Sequence, residues 1–291
     1  MQPAIDLPAR VRAAAETSEL VRAVRSVAAD GGVRFALGET PLRPLSRQEV
    51  ELLERLGNWA QDWSRVRVAE RFDPQSVRHS NFHGDVILGR FARSIHVAEG
   101  LELPAGIYHS TVANCVIADD VLIRHVRLLV NYEVGEAAVL VDCGSITCDR
   151  ATPFGNGTDL PIAIETGGRD VRVYAEIDVE VAAAVARSRS DRDRLELYAK
   201  AVADYTAQAT SNRGIIERGT VVRSTTSVRN TYLGPHAEVD GATLLADSTI
   251  LSNEQESAHI QSGACVTRSL IQWGSHVATM AIVDSSVLTE H

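Results

Sequence analysis

The sequence predicts a mainly β fold in which short parallel strands coil into a three-sided column, with helices before the column and one helical segment inserted in it. Two observations carry this prediction. Aliphatic residues recur at every sixth position: Val116, Leu122, Leu128, Val134, Leu140 and Ile146, then Ile215, Val221, Leu233, Val239, Leu245 and Leu251, with Ser227 the one polar member. After the polar stretch SNEQESAHIQSG the phase moves by one, to Ala264, Leu270, His276, Ile282 and Leu288. Three flat strands of about six residues make one triangular coil, one side chain per strand points inward, and coils stack about 4.8 Å apart. The second observation is a shortage of rings: 5 Phe, 3 Trp and 6 Tyr in 291 residues. A narrow prism accepts Val, Leu and Ile and excludes large aromatics.

Residues 6–29 read as a helix, with Leu20, Val21, Val24, Val27 and Ala28 at helical spacing and Gly31 and Gly32 as its stop. A second helix starts at Ser46, where Ser46 and Glu49 have capping-box spacing ahead of Val50, Leu52, Leu53 and Leu56, and Gly57 ends it. A turn follows, then a short strand with Val66 and Val68 on one face. Short apolar runs begin near residue 81 and are interrupted at about 175–212 by two helical patterns. The first carries Val179, Val181, Ala182 and Val185; the second, capped by Asp191 or Ser190, carries Leu195, Leu197, Tyr198, Val202 and Tyr205. They are expected to pack outside the column as a brace or a subunit contact. The expected divisions are 1–80 (helical and extended), 81–174 (first part of the column), 175–212 (helical insertion) and 213–291 (second part).

The chain has 29 basic and 38 acidic residues, a net charge of −9, which argues against nucleic-acid and anionic-membrane partners. No run of about 18 apolar residues is present, and the charged N-terminus lacks a secretory apolar segment, so a cytoplasmic location is expected. Cys115, Cys143, Cys148 and Cys265 then read as reduced thiols, and no metal site is expected from their spacing. Phosphate-loop, nucleophile-elbow and dinucleotide fingerprints are absent from the sequence.

The sixth-position register with the corner LGPHAEVDGA (233–242) resembles the left-handed parallel β-helix of hexapeptide-repeat proteins. A closer likeness lies in EVELLERLGNWAQDWSRVRVAERFDP (49–74), NFHGDVILG (81–89), NYEVGE (131–136), FGNG (154–157), ETGGRD (165–170), SNRGII (211–216) and ILSNEQ (250–255). As a set these are similar to the DUF4954 family of uncharacterised bacterial proteins, from about residue 41 to the end. Family members continue beyond the point where this chain stops in mid-register, so either another chain covering that end or a shortened form of a longer protein is expected.

Interruptions of the regular coil mark candidate sites. Phe154-Gly155-Asn156-Gly157 permits successive positive φ angles, and so either an anion-binding nest of N–H groups or a tight turn. Glu165 and Arg169 flank bare glycine backbone, where Arg169 would fork onto an anion or pair with a neighbouring carboxylate. Asn131, Tyr132 and Glu133 precede an inward valine; Asn212 and Arg213 mark the return from the helices; Asn253 starts the loop that shifts the register. His83, His109, His125, His236 and His259 are candidate general bases, with His125 and His236 favoured for their places beside a strand and after a Gly-Pro corner. His276 falls on the inward register and reads as a local slip.

The hexapeptide-repeat resemblance implies a transferase-like enzyme, with acyl transfer from acyl-coenzyme A to a small anionic sugar or nucleotide-sugar as its expected chemistry, and a trimer with sites in its clefts. His125, His236 or Glu133 would be the base, with Asn131, Tyr132, Gly155, Asn156, Gly157, Glu165, Arg169, Asn212, Arg213 and Asn253 on the substrate. The alternative is a non-catalytic β-helical scaffold. Convergence of these residues on one cleft favours the enzyme, and scatter favours the scaffold.

Overall fold

The computed structural model describes residues 5–38, 40–98, 100–162 and 168–289. Short strands build three long sheets of ten, nine and eight strands. Pairing is parallel throughout these sheets, apart from Leu42–Pro44, which runs antiparallel to Val66–Ala69 at the first edge of the ten-stranded sheet. Successive strands of the chain visit the three sheets in turn, giving a three-sided β-helix-like solenoid.

The step of the coil corrects the six-residue register. Val116 pairs with Glu133, Leu122 with Val139 and Leu128 with Ser145, so this rung, free of insertions, is 17 residues long, the separation also of the corner pair His125 and Asp142. Two sides of the triangle advance by six residues, and the side entering the ten-stranded sheet by five. The inward residues are therefore Ile117, Ile123, Leu129, Val134, Leu140 and Ile146, all fully buried. Val116 and Leu122 point outward beneath other elements, and Leu128 is 36% exposed. In the later coils Ile216, Val222, Val228, Leu233, Val239, Leu245 and Ile250 fill the prism, which removes the polar member at Ser227. Val277 takes the inward place assigned to His276, whose side chain is exposed. Adjacent apolar residues (Val116-Ile117, Leu122-Ile123, Leu128-Leu129) offered two phases, and strict spacing of six selected the wrong member wherever a five-residue side intervened.

Each corner requires a residue with left-handed φ. One column of corners runs His79, His109, His125, Asp142 and Ser224, with φ between 49° and 52°. A second runs Asn114, Asn131, Asn230 and Asp247, with φ between 51° and 55°. Asn, Asp and His tolerate this conformation better than other side chains do, so the corner chemistry follows from local backbone energetics.

Helices cover the outer face of the ten-stranded sheet. The sequence pattern at 6–29 forms two helices, α1 (Leu7–Thr17) and α2 (Glu19–Asp30), because the Ser18 hydroxyl accepts from Val21 N at 3.1 Å and restarts the helix. Gly31, at φ 71°, ends α2. A short α3 (Val33–Leu37) follows, and α4 (Arg47–Arg55) opens with the expected Ser46–Glu49 capping box. Its Leu53 joins the interior core at the first end of the prism. The insertion forms α5 (Val179–Arg187) and α6 (Arg192–Gln208), the latter capped by Asp191. Val181, Val185, Tyr198, Val202 and Tyr205 pack with α1, α2 and the sheet residues Ile215, Tyr232 and Leu270, whereas Val179 and Leu197 are exposed.

Glu217 lies under this cover. Burial, reinforced by the nearby carboxylate of Glu19, pushes its carboxyl up to about 7 from an ordinary 4.5, although a hydrogen bond from Tyr232 and the charges of Arg22 and Arg218 oppose the rise. The folded state thus holds this proton more tightly than the unfolded chain does. The resulting stability is present in acid and lost as pH rises from about 4.5 through 7. Glu217→Gln, neutral at every pH, is expected to raise the melting temperature at about pH 8 and change it little at about pH 5. Equal shifts at both pH values would refute the buried-carboxylate explanation.

Candidate functional site

Corner stacking creates a column of imidazoles. Each corner N–H donates to the carbonyl of the residue before the corner in the preceding rung: His109 N to Arg78 O at 3.0 Å, His125 N to Tyr108 O at 3.0 Å and Asp142 N to Arg124 O at 2.9 Å. These bonds place the corner side chains one rung apart. The rings of His79 and His109 are stacked at 4.9 Å, and those of His109 and His125 lie 5.2 Å apart, close to the spacing of adjacent strands. Asp142 ends the column, with Oδ1 3.1 Å from His125 Nδ1. Beneath the corner, buried serines repeat the same stitch: Ser110 N donates to Ser80 Oγ and Val126 N to Ser110 Oγ.

The residue before each corner faces outward from the eight-stranded sheet. Arg78, Tyr108 and Arg124 are register partners on three adjacent rungs. Together with His79 and His109 they line a cleft of about 640 Å³. Its far wall is the segment 91–94 and the turn at Pro104 and Ala105. Asp120, 1% exposed, fixes that wall by accepting from Ala92 N at 2.8 Å and Arg93 N at 3.1 Å and by pairing with the Arg93 guanidinium at 3.0 Å. The strands Ser94–Ala98 and Leu101–Pro104 form an antiparallel hairpin that packs on Leu122, Val139 and Val141. The hairpin is held in addition by a bond from Arg223 Nη1 to Val97 O at 2.8 Å.

The cleft is electropositive within an acidic chain. Arg93 is neutralised by Asp120 and Glu136, and Asp73 is engaged by Gln75 N. Arg78 and Arg124 have no ion-pair partner among the described residues; the Arg78 guanidinium makes one long bond, at 3.3 Å, to Gln75 O. Loss of water contact lowers the His109 pKa, and the imidazoles of His79 and His125 and the Arg124 guanidinium lower it further. An imidazole whose pKa is lowered, beside two guanidiniums without an ion-pair partner among the described residues, is suited to accept a proton from a bound anionic molecule.

The residues selected from the sequence fall in several places. His125 belongs to the imidazole column. His236 occupies a different corner, over Gly219, away from that column. Of Asn131, Tyr132, Glu133 and Arg213, only Glu133 and Arg213 pair, and Tyr132 turns into the interior core. Glu133 is fully buried, ion-paired to Arg213 Nη1 at 2.8 Å and overlain by Gly32. Arg213 Nη1 also donates to Asn114 O at 2.8 Å. Tyr132 is buried, with its hydroxyl 3.3 Å from Thr231 O, and Asn131 Nδ2 donates to Cys148 O at 2.7 Å as a corner brace. The Gly155–Gly157 segment is a turn in which Asn156 N donates to Pro153 O and Gly157 N to Val173 O, and the preceding Phe154 N donates to Thr152 Oγ1. The Asn156 amide donates to Pro153 O and Thr249 Oγ1. Asn253 Oδ1 accepts from Gln255 N and Glu256 N, shaping its own loop. Asn212 and Arg169 are exposed, and Glu165 lies outside the described residues.

Arg78, His79, Tyr108 and Arg124 were not selected from the sequence. A signal for them exists: Arg78-His79-Ser80, Tyr108-His109-Ser110 and Arg124-His125-Val126 share one pattern of outward residue, corner and buried residue. Their separations of 30 and 16 residues hide the repeat, because a loop and the hairpin lengthen one rung.

Among the described residues no cluster of His, Cys, Asp or Glu is arranged to hold a metal ion, and no helix is long and apolar enough to cross a membrane. A curated relative, an uncharacterized protein of Treponema pallidum (strain Nichols), is 28% identical over 259 residues. The alignment covers 84% of this chain and 36% of the relative, so the chain spans little more than a third of that protein's length. The family model for DUF4954, a domain of unknown function, matches residues 42–290, which takes in every rung of the solenoid and the whole imidazole column; the chain belongs to the DUF4954 family.

Proposed function

We propose that this chain is a left-handed β-helix protein of transferase type, and that the cleft at Arg78, Tyr108 and Arg124 binds a small anionic sugar or nucleotide-sugar. The observation that carries the reading is the placement of His109 in one cleft with two guanidiniums that have no carboxylate partner among the described residues. In acyl transfer from acyl-coenzyme A, a hydroxyl or amine of the acceptor would attack the thioester carbonyl carbon while His109 takes its proton. The carbon–sulfur bond then breaks, and coenzyme A leaves as the thiol with that proton. His125, held by Asp142, would orient the column from the far side. The choice of acyl chemistry rests on the likeness to hexapeptide-repeat enzymes.

The test is turnover of acetyl-coenzyme A with a panel of phosphorylated and carboxylated sugars. His109→Gln is expected to lower the rate by about 10²–10⁴-fold while ligand binding persists, the usual loss for a general base. A variant retaining at least half the rate would remove His109 from that role. A scaffold is the second reading, favoured by the scatter of Asn131, Asn156 and Asn253 over separate structural duties. Thermal shifts with none of the anions would favour it.

A further inference from the structure

The cleft's charge count and geometry narrow its ligand. Arg78 and Arg124 sit two rungs apart on one sheet, with Tyr108 between them, so their Cα atoms are separated by about 10 Å. Both side chains are long enough to lean over the tyrosine ring toward one bound group. The other ionic groups of the lining make no ion pair with either guanidinium: Arg93 is paired with Asp120, and the Asp73 carboxylate, still charged, accepts from Gln75 N. Two guanidinium forks therefore stand without an ion-pair partner among the described residues, and the two oxygens of a monocarboxylate satisfy only one fork. A phosphomonoester carries close to two negative charges near neutral pH and offers oxygens to two guanidinium forks. The imidazoles of His79 and His109, which line the cleft, supply further ring nitrogens for hydrogen bonding.

We infer that the cleft is a phosphoryl site, in which Arg78 and Arg124 jointly bind one dianionic phosphate group of the ligand and His109 faces the adjoining part of that ligand. This inference rests on the anion-cleft reading above and sharpens it. The phosphate has two chemical sources, a sugar monophosphate acceptor or the phosphates of a nucleotide or coenzyme A donor.

Calorimetric titration of the whole chain at about pH 8, where phosphate is dianionic, separates these points. Inorganic phosphate and sulfate are the minimal probes, succinate and acetate the carboxylate probes, and glucose 6-phosphate and coenzyme A the two source probes. Phosphate and sulfate are expected to bind, and acetate to bind at least tenfold more weakly. Arg78→Gln and Arg124→Gln are each expected to weaken phosphate binding about tenfold, with unchanged melting temperatures, while Arg47→Gln, on exposed α4, leaves it unchanged. Tighter binding of glucose 6-phosphate or of coenzyme A than of phosphate, lost in the same two variants, would name the source. Succinate binding that is lost in Arg124→Gln, with no binding of phosphate or sulfate, would overturn the phosphoryl inference and leave the anion cleft standing. Failure of every anion would overturn both.

Discussion

Leu129→Asp is expected to abolish cooperative thermal unfolding, whereas Leu128→Asp, one residue earlier, is expected to shift the melting temperature by only a few degrees. Leu129 is fully buried at the centre of the prism, between Val112 and Ile146 on the same sheet. A carboxylate there would find neither water nor a cation, and its burial or forced protonation costs several kcal/mol. That is comparable with the whole stability of an ordinary domain, about 5–15 kcal/mol. Leu128 points to solvent from the same strand and loses little when made polar. Circular dichroism melts of the two variants read the phase of the solenoid directly, because a shift of one residue moves every side chain of a strand to the opposite face. A severe loss in Leu128→Asp with a mild one in Leu129→Asp would restore strict six-residue spacing and refute the 17-residue rung.

Arg213→Met is expected to cost on the order of 3 kcal/mol, the scale for removing one partner of a buried ion pair. Glu133 has no exposed surface, and its carboxylate meets the Arg213 guanidinium at 2.8 Å on the boundary between the ten-stranded sheet and its helical cover. Methionine keeps much of the volume and removes the charge. Glu133→Gln in the same background should recover part of the loss, because the buried negative charge goes with it. Urea midpoints of the two single variants and the double variant give this coupling. Additive losses in the double variant would mean that the pair contributes only through packing.

What the sequence discloses depends on how local the cause is. The strands are legible because an aliphatic residue must fill the prism at each side of each rung, and the α4 cap because Ser46 and Glu49 satisfy their own backbone. The phase was not legible, since apolar doublets such as Leu122-Ile123 satisfy two registers, and only the pairing of Leu122 with Val139 chooses between them. Nor was the fate of Tyr132 and Glu133: Tyr132 joins the interior core with its hydroxyl at Thr231, and Glu133 points outward but is covered by the distant Gly32 and Arg213. The cleft was hardest of all. His79, His109 and His125 are unremarkable one by one, and become a column only because corner N–H groups tie successive rungs together. His236 meets the same local requirement for a corner residue and stands at another edge of the triangle.

Histidine side-chain NMR gives the most direct test of the cleft as the functional site. With the imidazole nitrogens observed during titration with glucose 6-phosphate and then succinate, the resonances of His79, His109 and His125 are predicted to move together with at least one of the two ligands. Those of His236 and His259, on other parts of the solenoid, are predicted to stay in place. Movement confined to His236 or His259 would contradict the assignment and transfer the site to their corner, and a spectrum unchanged by either anion would contradict a ligand site at the column altogether.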